Sequence, residues 1–278
     1  MDVFEKIDDL QNLVIEEELK KNENQKPQYH FDKLKMYFGE DHTIHGITIS
    51  IPKLGDILKI GEADFYSSLS PFLNNPTSTR VMLYENFNHK DWTKTKDIEV
   101  FYILLHMIKN KDPLKLLFKN FSFYNFDDLQ LIQLNKKQSP TDKPQLAIIS
   151  PSQNFMMADD EYMELAEYIR EMMHVHPKVE KINGKSGKLW AIQEDKMNAI
   201  QNKEKGGSTL LPLVSACINH PGFKYKLEEL KDVNIYQFMD SVNRLQTYEQ
   251  SVAAIHGTFS GMVSGKDVNK FINFMGNY

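Results

Sequence analysis

Gly184, Lys185 and Ser186 are the most suggestive triplet in this chain. At the end of a glycine-rich loop they would cradle a phosphate, with backbone N–H groups converging and the lysine reaching the anion. Such a loop also needs a glycine five residues before the Gly-Lys pair, a buried strand leading in and a helix leading out. Val179 holds the glycine position, and the lead-in HVHPKVEK is charged and broken by Pro177. The triplet therefore reads as a polar turn between two helices.

Metal chemistry has one local candidate. Glu171 and His174 have the Glu-x-x-His spacing that aims two ligands to one side of a helix, and His176 follows. A di-metal bundle needs a second copy on a facing helix, and the chain has none. Pro177 puts these histidines at a helix C-terminus, where the dipole favours them. Cys217 and His220 are the one cysteine–histidine pair, but Cys217 lies in the apolar run LPLVSACI and reads as a small buried side chain. His106 in YILLHMI reads as a core or half-buried histidine. Asp127-Asp128, Asp159-Asp160-Glu161 and Glu228-Glu229 fall where helices or turns begin, and acids are favoured there. No Gly-x-Ser-x-Gly elbow is present. These residues assign no catalytic, metal or cofactor site, and no cofactor is expected.

Composition narrows the classes further. The 278 residues are 41% hydrophobic, with 17 Phe and 12 Tyr, enough for a sizeable core. A single cysteine excludes a disulfide framework within the chain. No apolar run reaches the roughly 18 residues that a bilayer span requires, so a soluble cytoplasmic product without membrane partners is expected. Residues 1–20 carry seven acids and two bases, which accounts for the whole net charge of −5. The rest is balanced, which argues against a dominant nucleic-acid surface. The segment Arg170–Lys205 is mildly basic and reads as a solvated face.

The elements that must position these residues follow from periodicity. Residues 1–20 read as an acidic amphipathic helix with Phe4, Ile7, Leu10 and Val14 on its apolar stripe, followed by a polar linker. YHFDKLKMYF and TIHGITISI read as two strands joined by GEDH. Residues 62–118 read as helices, with Asp97 capping one of them. Strands are expected at 121–134 and 145–150, with the loop 135–144 as a domain boundary or a turn within one core. A helix over 159–173, with Tyr162, Leu165, Ala166, Ile169 and Met173 on one face, pairs with 188–203 as a helical hairpin. Helices follow over 209–278, one opened by an Asn234/Gln237 capping box, with Gly257, Gly261 and Gly265 as breaks before a short last helix. The fold class is α+β, mainly α, with a small N-terminal β element and a helical C-terminal half. Its domains are the helix 1–20, an α+β domain at 29–135 and a mainly helical one at 145–278.

Four phrases carry a resemblance: ITISIPKLGDILKIGEADFY, STLLPLVSACINHPGFKY, DVNIYQFMDSVNRLQ and IHGTFSGMVSGKDVNKFINFMG. Together, over roughly 30–278, they resemble morphogenesis proteins of tailed bacteriophages infecting low-GC Gram-positive hosts, in particular tail and baseplate proteins including tail assembly chaperones. The resemblance implies a non-enzymatic factor that binds tape-measure or tube subunits in the host cytoplasm during assembly. A virion component of the baseplate or tail connector is the alternative. An enzyme or nucleic-acid protein with no local motif is a third reading. The residues assigned to partner binding are Phe4, Ile7, Leu10 and Val14 on the first helix, and Tyr162, Ile169 and Trp190 on the 159–205 hairpin. Deleting residues 1–20 is expected to abolish partner capture in a pull-down while leaving the melting transition of the body in place.

Overall fold

Short helices alternate with tight turns until Arg170 and two small sheets tie them together. The computed structural model describes residues 29–122, 127–134, 145–203 and 207–261. The expected N-terminal helix 1–20 and the last helix with Val268, Phe271, Ile272 and Met275 lie outside them. From Lys33 onward the described residues form one compact unit.

That unit opens with helix α1 (Lys33–Phe38), where a strand was expected. Leu34, Met36 and Phe38 alternate as strand residues do, but only Met36 is buried, while Leu34 and Phe38 are 67% and 73% exposed. Gly39, at φ +74, ends the helix, with Gly39 N–H bonded to Met36 O and Glu40 N–H to Lys35 O, both at 3.0 Å. Strands β1 (His42–Ile44) and β2 (Ile47–Ile49) then pair antiparallel. Their turn is His45-Gly46, both at positive φ, rather than GEDH. A two-residue turn of that hand matches strand twist, and Gly46 makes it accessible.

Helices α2 (Leu54–Ile60), α3 (Glu62–Leu73), α4 (Arg80–Asn86) and α5 (Asp97–Met107) follow. Asp97 is the first residue of α5, not its cap. Glu99 instead accepts from the Lys96 N–H at 2.8 Å, which frees Asp97 for a longer-range partner. The stretch around Leu114 is a short 3-10 turn, Asp112–Leu116.

Strands β3 (Gln130–Leu134), β4 (Gln145–Ser150) and β5 (Phe155–Ala158) form one antiparallel sheet in that order. The third strand was not foreseen. Because β3 and β4 are hydrogen-bonded neighbours, residues 135–144 connect two strands of one sheet and do not separate two domains. Helix α6 (Asp159–Met172) packs on both sheets and on α3 and α5. Helix α7 (Lys185–Lys203) packs mainly on α4, not back along α6 as the expected hairpin required. Helices α8 (Leu210–Asn219) and α9 (Ile235–Phe259) complete the described chain. Gly257 lies inside α9 and breaks nothing. Asn234 caps α9 as expected, accepting from the Gln237 N–H at 2.8 Å.

The centre of the core is aromatic. Phe72 of α3 meets Phe101 of α5 at 5.1 Å and Phe118 at 5.6 Å between ring centroids, and Phe101 meets Tyr162 at 4.7 Å. Beside this cluster lies Arg170, 2% exposed and therefore no part of a solvated basic face. It donates to Phe72 O at 2.9 Å, Asn74 O at 2.8 Å, Asp97 Oδ2 at 3.0 Å and Glu167 Oε1 at 2.8 Å. Tyr162 O–H donates to Pro71 O at 3.1 Å. The last carbonyls of α3 are thus satisfied by α6, with a cation at the negative end of the α3 dipole.

Replacing Arg170 by Met removes the donor to two buried carbonyls and one to the Asp97 carboxylate. A loss of roughly 3–5 kcal/mol in urea unfolding is expected. A loss below about 1 kcal/mol would mean that the guanidinium network contributes little.

Candidate functional site

The chemically suggestive residues are mostly occupied by structural work. Gly184 turns at φ +79 into the start of α7, with no strand among residues 175–183; of the triplet only Gly184 lies in the connector, and Lys185 and Ser186, expected in the turn, are the first two residues of the helix. Among the described residues no group of three His, Cys, Asp or Glu side chains is placed to hold a metal. Cys217 is 4% exposed, and burial pushes its thiol pKa up. The His220 ring contacts Glu249 through Nε2 at 2.9 Å and accepts the Gly222 N–H at Nδ1 at 2.9 Å, so neither nitrogen activates the cysteine. His106 is exposed, not half-buried, and its Nδ1 lies 2.8 Å from Tyr102 O.

The paired carboxylates are also tied down. Asp128 accepts from Ser150 Oγ at 2.5 Å and from the Ser152 N–H at 2.8 Å, which holds its carboxyl below the usual range. Asp159 pairs with Lys96 at 2.6 Å. Glu161 accepts the Ala158 N–H and Glu229 the Lys226 N–H, each at 2.8 Å.

His174 has the richest surroundings. It follows α6 at φ +52, a left-handed conformation that costs energy for a residue with a side chain. Its Nδ1 accepts from Asn243 Nδ2 at 3.1 Å, which places the proton on Nε2. The ring lies 4.8 Å from that of Tyr236, and Nε2 is buried without a hydrogen-bond partner. Glu171 pairs with Lys33 at 2.7 Å, and Arg244 with Asp240 at 2.8 Å. Sequence reasoning found Glu171 and His174 but not Tyr236, Asp240, Asn243 and Arg244, which arrive from α9 some sixty residues later. Burial lowers the His174 pKa.

The residues assigned to partner binding divide sharply. Phe4, Ile7, Leu10 and Val14 lie outside the described residues. Tyr162 and Ile169 are 0% exposed, so no partner can reach them: the apolar stripe of α6 is the face that builds the core. Trp190, on α7, is 72% exposed and open to a partner.

A larger apolar surface went unseen in the sequence. Helix α8 reads LLPLVSACIN, yet Cys217 is its one buried residue and Leu211 is 64% exposed. Two cavities flank it. One, of about 360 Å³, is walled by Leu54, Ile57 and Leu58 of α2, Leu211 and Val214 of α8, and Leu227. The other, of about 530 Å³, lies between Leu213 and Ala216 of α8 and Val242 and Leu245 of α9. Leu58 and Leu227 are 70% and 61% exposed on the rim.

The frame of this surface is well fixed. Glu62, at the start of α3, accepts from the Thr209 N–H at 2.6 Å, the Leu210 N–H at 2.8 Å and Ser208 Oγ, so one helix caps the start of another. Gly55 lets α2 approach the turn Glu229–Asp232 closely, since a Cβ there would lie 2.7 Å from Lys231 O. The apolar ridge is thus held in place, and the described residues leave it uncovered.

Residues 201–277 match the YomV second domain. The matched stretch holds α8, the 229–232 turn and α9. That family is phage-derived, from Bacillus, which agrees with a phage origin without extending to tail or baseplate. No curated protein and no solved structure matches the chain. None of the described helices is long and apolar enough to cross a membrane.

A pH effect follows from His174. Its folded pKa lies below the usual imidazole value of about 6.5, so the stability it contributes is fully present above that value and is lost as pH falls through the lower folded one. Replacing His174 by Gln should flatten that acid-side decline in thermal melts between pH 7 and about pH 5. An unchanged decline would assign it to other groups.

Proposed function

We propose that this is a non-enzymatic bacteriophage morphogenesis protein that works by binding an apolar helix of another assembly protein. The observation that carries the reading is the uncovered ridge of α8 between its two apolar cavities. Contiguous aliphatic surface of this kind marks interaction sites. A ridge about 15 Å long with a groove on each side suits an amphipathic helix carrying aliphatic anchors at three-to-four spacing.

Three further points support the reading. The matched domain is phage-derived. The candidate catalytic side chains are engaged in structural bonds. The resemblance over 30–278 is to tail and baseplate assembly proteins, among which a chaperone of the tape-measure protein has the strongest need for an apolar groove. Binding there shields the partner's apolar helices before the tube closes around them. The host cytoplasm is the corresponding place of action.

The test is co-expression with the tape-measure protein of the same phage and affinity capture. Leu211→Asp combined with Leu227→Asp should reduce capture at least tenfold while circular dichroism and melting temperature hold, because both side chains are already exposed. Full capture by that variant would refute docking on α8, and loss in Trp190→Ala alone would move the site to α7. Peptide mass spectrometry of purified particles should find the protein in lysate and not in particles. Stoichiometric presence in particles would make it a virion component instead.

A further inference from the structure

The two cavities beside α8 differ in what the chain itself can bring to them. The one on the α9 side holds about 530 Å³ between Leu213, Ala216 and Cys217 of α8 and Val242 and Leu245 of α9. Leu213 and Leu245 are half-buried and Ala216 is exposed, so its floor is apolar and the described residues leave it open. Glu249 sits on the rim, in contact with His220 at 2.9 Å.

The sequence that follows α9 fits this groove. Helix α9 ends at Phe259, and Gly261, at φ +73, turns the chain off the helix axis. Beyond it Val268, Phe271, Ile272 and Met275 recur at the three-to-four spacing of one apolar helix face, with Lys266, Lys270 and Asn273 opposite. The reach is sufficient. Gln250 and Gln246, on the rim, lie about 16–23 Å back along α9 from Gly261. Residues 262–265 span about 13 Å when extended, and 266–271 add about 9 Å as helix, which brings Phe271 to the cavity. A helix over 266–276 would be about 16 Å long, close to the length of α8. The charge suits the rim as well: two lysines and one aspartate on the segment face a groove whose one acid is Glu249. The stretch matched to the YomV second domain, 201–277, takes in α8, α9 and this segment together.

We propose that residues 266–276 lie as an apolar strap in the α8–α9 groove, antiparallel to α9. Phe271 and Ile272 point inward over Leu213 and Leu245, and Lys266 and Lys270 stay in water on the outer face. Burial of four large apolar side chains against an open apolar floor drives the docking. The strap completes one side of α8 and leaves Leu58, Leu211 and Leu227 exposed on the α2 side. The partner helix of the proposed function then has one groove and not two. The strap itself is observed with no partner present, so its failure and that of the partner reading are distinguishable.

In the full-length protein, Phe271 is replaced by photoreactive benzoylphenylalanine, and a mixture of unlabelled and isotope-labelled protein is irradiated. Cross-links to the peptides of α8 and α9 within one chain are expected, about fivefold above those from the same group at position 270 on the polar face. Cross-links between chains, which would put a second copy in the groove, overturn the strap. So do cross-links elsewhere in the chain, or equal yields from the two positions. Phe271→Asp combined with Ile272→Asp should speed amide hydrogen exchange across α8 about tenfold while α3, α5 and α6 keep their protection. Unchanged exchange in α8 would overturn the proposal as well.

Discussion

The packing of α3, α5 and α6 depends on how one buried cation is satisfied. Arg170 is almost fully excluded from water, where an unpaired guanidinium would be prohibitively costly. Two carboxylates and two main-chain carbonyls surround it, and they come from three places: Asp97 at the start of α5, Glu167 one turn back on α6, and Phe72 and Asn74 at the end of α3. None of these groups can move far without leaving another unpaired. The network therefore fixes the end of α3, the start of α5 and the axis of α6 together. The aromatic cluster of Phe72, Phe101 and Tyr162 packs inside that frame, so apolar burial and polar registry act on the same three helices.

Pro71 shows why such a network is useful. A proline inside α3 has no N–H to give to the preceding turn, and the helix ends within a few residues. The carbonyls left at that end would need water. Tyr162 and Arg170 supply dry donors instead, which lets the end of α3 be buried. The α8 frame obeys the same rule with opposite sign. There Glu62 brings a carboxylate to the free N–H groups at a helix start. In both cases one helix completes the terminus of another, and the pair is thereby fixed in orientation.

The sequence made the helices legible and their surroundings much less so. The stripe Tyr162, Leu165, Ala166, Ile169 stands out because a period near 3.6 leaves few alternatives, and the structure buries all four. The same stripe cannot tell its own core from a partner's groove, which is why Tyr162 and Ile169 were assigned to binding. Helix α8 misleads in the reverse direction. A nearly unbroken apolar run signals burial, yet Leu211 faces solvent. Leu34, Met36 and Phe38 alternate like a strand but make a helix, because only Met36 finds a core to enter. Arg170 counted as one more surface charge. Its burial depends on Asp97 and Phe72, more than seventy residues away, and on no local pattern. His174 likewise meets Asn243 and Tyr236 only after the chain has turned through three further helices.

Helix termini are where this chain concentrates its polar chemistry. The end of α3 faces an arginine, and the start of α8 faces a glutamate. The starts of α5 and α6 are served by Glu99 and Glu161 folding back on the main chain. Each of these ends is complete within the protein. The start of α7 departs from the series. Gly184 provides no cap, and the charged side chains around it are mostly lysines, whose sign is wrong for a helix N-terminus. Lysines beside a positive helix end repel it. Asp91 offsets part of that repulsion by pairing with Lys188.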